Sequence, residues 1–300
     1  MKKKKRMMMI SLILAGVLVF CWLQNNLLVV SEYVYQSAKV PSAFEGYSIV
    51  QISDLHNATF GKGNKRLLDK VAELSPDMVV LTGDLIDSGH THIPVAIEFA
   101  RQLAENYPTY YVTGNHEMWL EAGERQELLE GLINAGVICL SDTYTQIERG
   151  DSRITLIGLN DESLSGVKLD VLLKKMEESG GDSVSPEEGD KRQEISELTV
   201  STLQILLAHE PQYMENYSRC GMDLVFSGHA HGGQFRLPFL GRGLVAPGQG
   251  LFPRYTEGVH ERNGTTMIIS RGLGNSVIPV RLFNQPEIVC VKLVRENNGF

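Results

Sequence analysis

The chain is 300 residues long, 43% hydrophobic and 21% charged, a globular balance with room for one large domain or two small ones and a sizeable core. Five of its 28 Lys and Arg stand at positions 2–6 and no acid precedes Glu32, so positions 31–300 hold 23 bases against 36 acids, a net of −13. That surface disfavours polyanions, and no nucleic-acid partner is expected.

Lys2-Lys-Lys-Lys-Arg6 opens the chain, and Met7 to Leu23 then runs seventeen residues with no charge and only Ser11 polar. This is a charged n-region followed by an apolar run near the short end for a membrane span. No small-x-small cleavage site closes it. Residues 1–30 are therefore read as an uncleaved signal anchor or transmembrane helix, with the cations holding the N-terminus in the cytoplasm and the rest of the chain outside. A signal peptide removed on secretion is the alternative. Cys21, Cys139, Cys220 and Cys290 form no CxxC and no regular spacing, so neither a disulfide framework nor a zinc–thiolate site is indicated.

Residues 31–44 read as a linker or an edge strand, and 45–300 as the main domain. Tyr47 to Ser53 is a strand ending at Asp54-Leu-His56. Leu67 to Leu74 has helical spacing and Pro76 stops it. Met78 to Leu81 is a continuous apolar run, as in a strand buried on both faces, and ends at Gly83-Asp84. A helix over Ile93–Glu105 precedes a strand at Thr109–Thr113, which ends at Gly114-Asn-His-Glu117. Another helix, about Glu124–Asn134, leads to a short strand at Val137–Leu140. This rhythm predicts a largely parallel sheet.

Arg153 to Leu159 is the next strand. Positions 161–200 then hold eleven acids against five bases, with Ser179-Gly-Gly-Asp-Ser-Val-Ser-Pro186 at the centre. An acidic surface insertion is expected there, with a helix over 167–176 and a solvated loop without chemical role. Gln204 to Ala208 is a strand ending at His209-Glu-Pro211, and Pro211 suits the first turn of a helix reaching about Arg219. Asp223 to Phe226 is a buried strand that stops at Gly228-His-Ala-His231. Residues 237–255, rich in Gly and Pro, read as a long loop over a site. Strands at Thr265–Ser270 and Ile288–Val294 finish the chain.

Five strands thus end in metal-capable residues: Asp54 and His56; Asp84; Asn115 with His116; His209; His229 and His231. In parallel sheets ligands gather beyond the carboxyl ends of the strands, so these side chains are expected in one crevice. Any one alone reads as a turn or cap residue; the recurrence at one kind of position is what points to metal. Imidazole, carboxylate and amide oxygen without thiolate suit Mn²⁺, Zn²⁺ or Fe. So many donors suit two divalent ions sharing a bridging carboxylate, the arrangement that activates water for in-line displacement at phosphorus.

The blocks Asp54-Leu-His56, Gly83-Asp-Leu-Ile-Asp87, Gly114-Asn-His-Glu117, His209 and Gly228-His-Ala-His231 resemble, in order, the calcineurin-like metallophosphoesterases. His231-Gly-Gly-Gln234, Tyr255-Thr-Glu-Gly258 and Ser270-Arg-Gly-Leu-Gly274 resemble the membrane-associated bacterial phosphodiesterase branch, and the likeness runs over about 45–295. The resemblance implies a four-layer α/β/β/α sandwich. It also implies that Asp54, His56 and His231 hold one metal, that Asn115, His209 and His229 hold the other, and that Asp84 bridges them. His116 would donate a proton to the leaving oxygen or stabilise phosphoryl charge, and Asp87 would orient His116 or a ligand from behind. Arg271 and Arg281 are candidates for binding phosphate oxygens.

The leading expectation is a phosphoester hydrolase, a phosphodiesterase above all, whose substrate is a phosphate ester presented at the membrane, including lipid-linked or envelope phosphates. A nuclease or nucleotide phosphodiesterase is the enzymatic alternative. A non-catalytic metal-binding scaffold is the other class, and no protein partner is expected. A single-zinc peptidase has no HExxH to support it.

Overall fold

The computed structural model describes residues 2–161, 171, 202–236, 243–275 and 279–296. In chain order it has helix α1 (Lys2–Asn26), strands β1 (Val29–Ser37) and β2 (Ser48–Ile52), helix α2 (Lys65–Leu74), strand β3 (Met78–Thr82), helix α3 (Ile93–Ala104), strand β4 (Thr109–Val112), and helices α4 (Asn115–Met118) and α5 (Ala122–Asn134). Strands β5 (Ile138–Cys139), β6 (Thr143–Arg149), β7 (Ser152–Gly158) and β8 (Gln204–Leu207) follow, then helix α6 (Met214–Arg219) and strand β9 (Leu224–Ser227). The chain closes with β10 (Val245–Ala246), β11 (Gly250–Leu251), β12 (Gly258–Arg262), β13 (Thr265–Ile269) and β14 (Glu287–Arg295).

These strands build two six-stranded sheets, ordered β1-β14-β2-β3-β4-β5 and β12-β13-β9-β8-β7-β6. In the first, β2 to β5 run parallel; in the second, β7, β8, β9 and β13 do. Alternation along each strand explains the layering. In β2, Ile49 faces a core shared with Ile205, Leu207, Leu224, Phe226 and Ile268 of the other sheet. Its neighbours Val50 and Ile52 face the opposite way, toward Leu67, Val71, Phe99 and Leu128 of α2, α3 and α5. On the far side of the second sheet, Ile157, Leu206, Val225 and Met267 pack on Met214 and Tyr217. Helices, sheet, sheet, helix is the four-layer sandwich.

Of the two readings of 31–44, linker or edge strand, the structure has the edge strand, over Val29–Ser37. It pairs in parallel with β14 from Val29↔Glu287 to Ser37↔Arg295, because its backbone completes the open edge of β14. The two sheets are those of the four-layer sandwich that the family resemblance implies. Edge strands β6 and β12, unread in the sequence, flank the second sheet; β12 turns into β13 through Asn263-Gly264, both at positive φ, the hairpin dipeptide. The helix expected over 167–176, the acidic loop and residues 237–242 of the Gly/Pro-rich loop lie outside the described residues. The described part of that loop carries the β10–β11 hairpin, and the Leu244 N–H donates to Gly233 O beside His231.

Candidate metal centre

All seven expected ligands stand at the carboxyl ends of β2, β3, β4, β8 and β9, where the two sheets meet. Gln51, fully buried, ties the sheets just beneath: its Nε2 donates to Thr82 Oγ1 at 2.9 Å and to Ser227 O at 2.8 Å. The sharp exits are built from unusual backbone. Asp54, His56, Asp84, His229 and His231 all have positive φ, between 45° and 65°, a region that costs non-glycine residues free energy and clusters at functional sites. Glycines make room between these loops. A Cβ on Gly228 would lie 1.9 Å from Ser53 Oγ and 2.3 Å from Asp54 Oδ2, and one on Gly114 would lie 2.3 Å from Asp84 Oδ1.

The donor atoms fall into two sets that share Asp84. In the first, His56 Nε2 and His231 Nε2 are 3.1 Å apart, His231 Nε2 is 3.5 Å from Asp54 Oδ1, and His56 Nε2 is 3.6 Å from Asp84 Oδ2. In the second, His209 Nε2 is 3.2 Å from Asp84 Oδ2 and 3.3 Å from His229 Nδ1, which is 2.7 Å from Asn115 Oδ1. Bonds of about 2.1 Å around one ion separate neighbouring donors by roughly 3.0–3.5 Å. Most of these spacings lie in or close to that range, and Asp84 Oδ2 is common to both sets.

The side chains are buried, and burial sets their protonation. It pushes the Asp54 carboxyl up to about 6, against the pull of His209. Burial lowers His56 to about 4 and His229 to about 3, and holds His231 well below its ordinary value with help from His56 and Arg281. Those three rings therefore offer lone pairs, the form a metal takes. Burial also opposes ionisation of Asp84, but the adjacent His209, with His56 and His116, outweighs it and holds the carboxylate charged.

The family model for calcineurin-like phosphoesterases matches residues 47–233. The chain belongs to that family. Its members act on phosphoesters and typically bind divalent metals. This calcineurin-like chain is 28% identical over 282 residues to the uncharacterized metallophosphoesterase YkuE of Bacillus subtilis, covering 92% of this chain and 89% of that one. It is 29% identical over 264 residues to a Danio rerio protein described as a transmembrane protein with metallophosphoesterase domain, covering 85% of this chain and 55% of that one. Among solved structures it is similar to a phosphopantetheinyl hydrolase from Mycobacterium tuberculosis, with a TM-score of 0.42, 14% identity, and coverage of 75% of this chain and 89% of that chain.

Several residues that hold the ligand loops of this phosphoesterase in place were not read from the sequence. Glu117 is fully buried, and its carboxylate accepts the backbone N–H groups of Gly114 at 2.7 Å, Asp84 at 2.8 Å and Ile86 at 3.3 Å. It pins the β3 and β4 exits together; burial, then the Asp84 charge, pushes its carboxyl up to about 8. Glu210 Oε1 stands 3.6 Å from His229 Nε2, on the side of the ring away from Asn115. His209 Nδ1 is 2.7 Å from Thr82 O, so it donates there and turns its Nε2 to Asp84.

His116 sits inside the cluster, its ring 4.5 Å from that of His56. Ser88 N–H lies 3.1 Å from its Nδ1, and Asp87, expected to orient His116 or a ligand, has Oδ1 3.8 Å from the same nitrogen and also accepts the Gly89 N–H. The two arginines expected at phosphate are used elsewhere. Arg281 is 1% exposed, and its guanidinium donates to the carbonyls of Gly274, Arg271 and Asn284 and faces His231 Nδ1 at 3.3 Å. Arg271 pairs with Glu287 at 3.0 Å and Glu257 at 3.5 Å. Both are engaged because the turn after β13 needs its carbonyls and carboxylates satisfied.

Proposed function

We propose that this chain is a binuclear metal-dependent phosphodiesterase held at a membrane by its N-terminal helix. The observation that carries the reading is the division of seven buried donors into two sets at ligand–ligand spacing around one shared carboxylate oxygen. Asp54, His56 and His231 would hold one ion and Asn115, His209 and His229 the other, with Asp84 contributing to both. When bound, Mn²⁺, Zn²⁺ or Fe at these positions supplies activated water and neutralises phosphoryl charge.

The side chains supply the rest. Asp84 Oδ1 accepts the His116 N–H at 2.9 Å and fixes that residue against the centre. Ser88 N–H donates to His116 Nδ1 and so orients the ring, whose Nε2 is the nitrogen assigned to the leaving oxygen. Membrane attachment rests on α1, whose residues Lys3–Asn26 are long and apolar enough to cross a bilayer, and on the name of the Danio rerio relative. The cations at its start, Lys2–Arg6, keep the N-terminus cytoplasmic and the catalytic domain outside. Hydrolysis of bis-p-nitrophenyl phosphate by the full chain with added Mn²⁺, abolished by EDTA and restored by Mn²⁺, is the expected result. Turnover unaffected by EDTA, or none with any of the three metals, refutes the reading.

A further inference from the structure

The end of α1 is joined to the metal centre by direct contacts. Asn25 Oδ1 accepts the Asn275 side-chain amide at 2.8 Å and the Arg281 backbone N–H at 3.2 Å, and Gln24 Oε1 accepts the Asn284 N–H at 3.2 Å. Asn284 and Arg281 are the two residues that grip His231, the first by donating to its carbonyl at 2.7 Å and the second at its ring. His231 is thus separated from the helix end by little more than one arginine side chain. The aromatic line continues from His231 to His56, His116 and the exposed indole of Trp119, with ring centroids 4.9, 4.5 and 4.8 Å apart in turn.

Length sets the depth. The helix carries seventeen uncharged residues between Arg6 and Gln24, about 26 Å of rise, close to a hydrocarbon core of about 30 Å. Its last polar residues, Gln24 to Asn26, therefore stand in the headgroup layer, and so do the groups bonded to them. The surface at that level matches the layer chemically. Phe283, 49% exposed, meets Phe20 of the helix with centroids 5.4 Å apart, and Leu27 is 47% exposed. Arg66 donates to Asn26 O at 2.8 Å, and Lys62 is exposed one turn before it. Cations placed beside the helix end, on a domain that is otherwise acidic, fit an anionic bilayer surface.

We infer that this face, Leu27 and Phe283 with Lys62 and Arg66, docks on the bilayer and sets the mouth of the metal centre in the headgroup layer, so that the ester hydrolysed belongs to an amphiphile still held in the membrane. The inference rests on the phosphodiesterase reading for its chemistry. Water adds its oxygen to phosphorus, the bond to the leaving oxygen breaks, and a proton from the water ends on that oxygen. An amphiphile whose phosphate lies at headgroup depth reaches the centre without leaving the bilayer.

The test uses the full chain reconstituted in vesicles of phosphatidylglycerol and phosphatidylcholine with brominated acyl chains. Phe283→Trp in a background of Trp22→Phe and Trp119→Phe places one indole on the face. Its fluorescence should fall by about half relative to unbrominated vesicles, as for a side chain at the headgroup–acyl boundary; unchanged fluorescence overturns the docking. Trp22 alone, in a Trp119→Phe chain, reads insertion of α1 itself, so failure of the anchor is distinguishable from failure of the face.

A second arm compares hexadecyl p-nitrophenyl phosphate in the vesicles with bis-p-nitrophenyl phosphate in water. Lys62→Glu with Phe283→Asp should lose about tenfold on the vesicle ester and nothing on the soluble one. Equal loss on both, or loss on neither, overturns the inference. A parent chain inactive on the soluble diester counts against the phosphodiesterase reading, while the quenching still decides the docking.

Discussion

Gly114→Ala tests the construction of the centre with a single methyl group. Gly114 has φ −106° and ψ −174°, which alanine adopts without strain, so the backbone is not at issue. The cost comes from the neighbour. The new Cβ would lie 2.3 Å from Asp84 Oδ1 and 2.8 Å from Asp84 N, and real Cβ contacts are essentially never below 3.0 Å. The loops must open by at least 0.7 Å, the difference between 3.0 and 2.3 Å. Asp84 Oδ1 also receives the His116 N–H, and its partner Oδ2 is the shared donor, so the displacement reaches both sets.

Metal–ligand distances tolerate about 0.2 Å, so a shift several times larger should dissolve the bridge. Overpacking costs about 1–3 kcal/mol, so the protein should fold with a lowered Tm. Gly123→Ala, in α5 with nothing within 4 Å of the added Cβ, is the control and should be neutral or stabilising by up to about 1 kcal/mol. Metal content by elemental analysis after gel filtration, with turnover of bis-p-nitrophenyl phosphate, reads the outcome. A folded Gly114→Ala protein with both metals and parental turnover would refute the reasoning.

Asp84→Asn should lose metal along with activity, measured on the same samples, because an amide replaces the carboxylate that serves both sets. His116→Ala should keep its metal and lose about 10²–10⁴-fold in turnover; full activity in that variant removes His116 from the reaction. Glu117→Ala leaves the N–H groups of Asp84 and Gly114 buried without an acceptor and should cost about 2–5 kcal/mol in chemical denaturation, more than Glu117→Gln, which retains one oxygen. In EDTA, His56 has its own acid signature. Its ring is lowered to about 4 in the fold against about 6.5 unfolded, so the unfolded chain binds the proton first. Stability from this residue is present above pH 6.5 and lost as pH falls through 4. His56→Gln should therefore gain on the parent by about 3 kcal/mol between pH 7 and pH 4, and parallel pH profiles for the two proteins would contradict the burial.

The site was legible in the sequence because its chemistry and its topology coincide. Strands as apolar as Met78–Thr82 and Leu224–Ser227 can only be central, and the residues just past the carboxyl end of a central parallel strand face the crevice. Asp54, Asp84 and His229 announce themselves by standing there. The supporting residues do not. Glu117 reads as one more helical acid until the fold sets the β3 exit against it, and Ser88 touches His116 across 28 positions of chain. Arg281 carries the residue type of a phosphate ligand, but the turn around Gly274 consumes its donors. Partition into two sheets was equally hidden from strand periodicity, since a strand alternates in the same way whichever sheet receives it. The Asn263-Gly264 and Gly150-Asp151 turns were overlooked local signals, and they mark the hairpins that bring in β12 and β6.

The central claim concerns two ions around one aspartate. Elemental analysis of the full chain, purified without chelator and exchanged into metal-free buffer, measures it directly. Two equivalents of Mn, Zn or Fe per chain are expected, falling below one in Asp84→Asn. A parent chain that retains no metal, even after incubation with each ion in excess, would contradict the account.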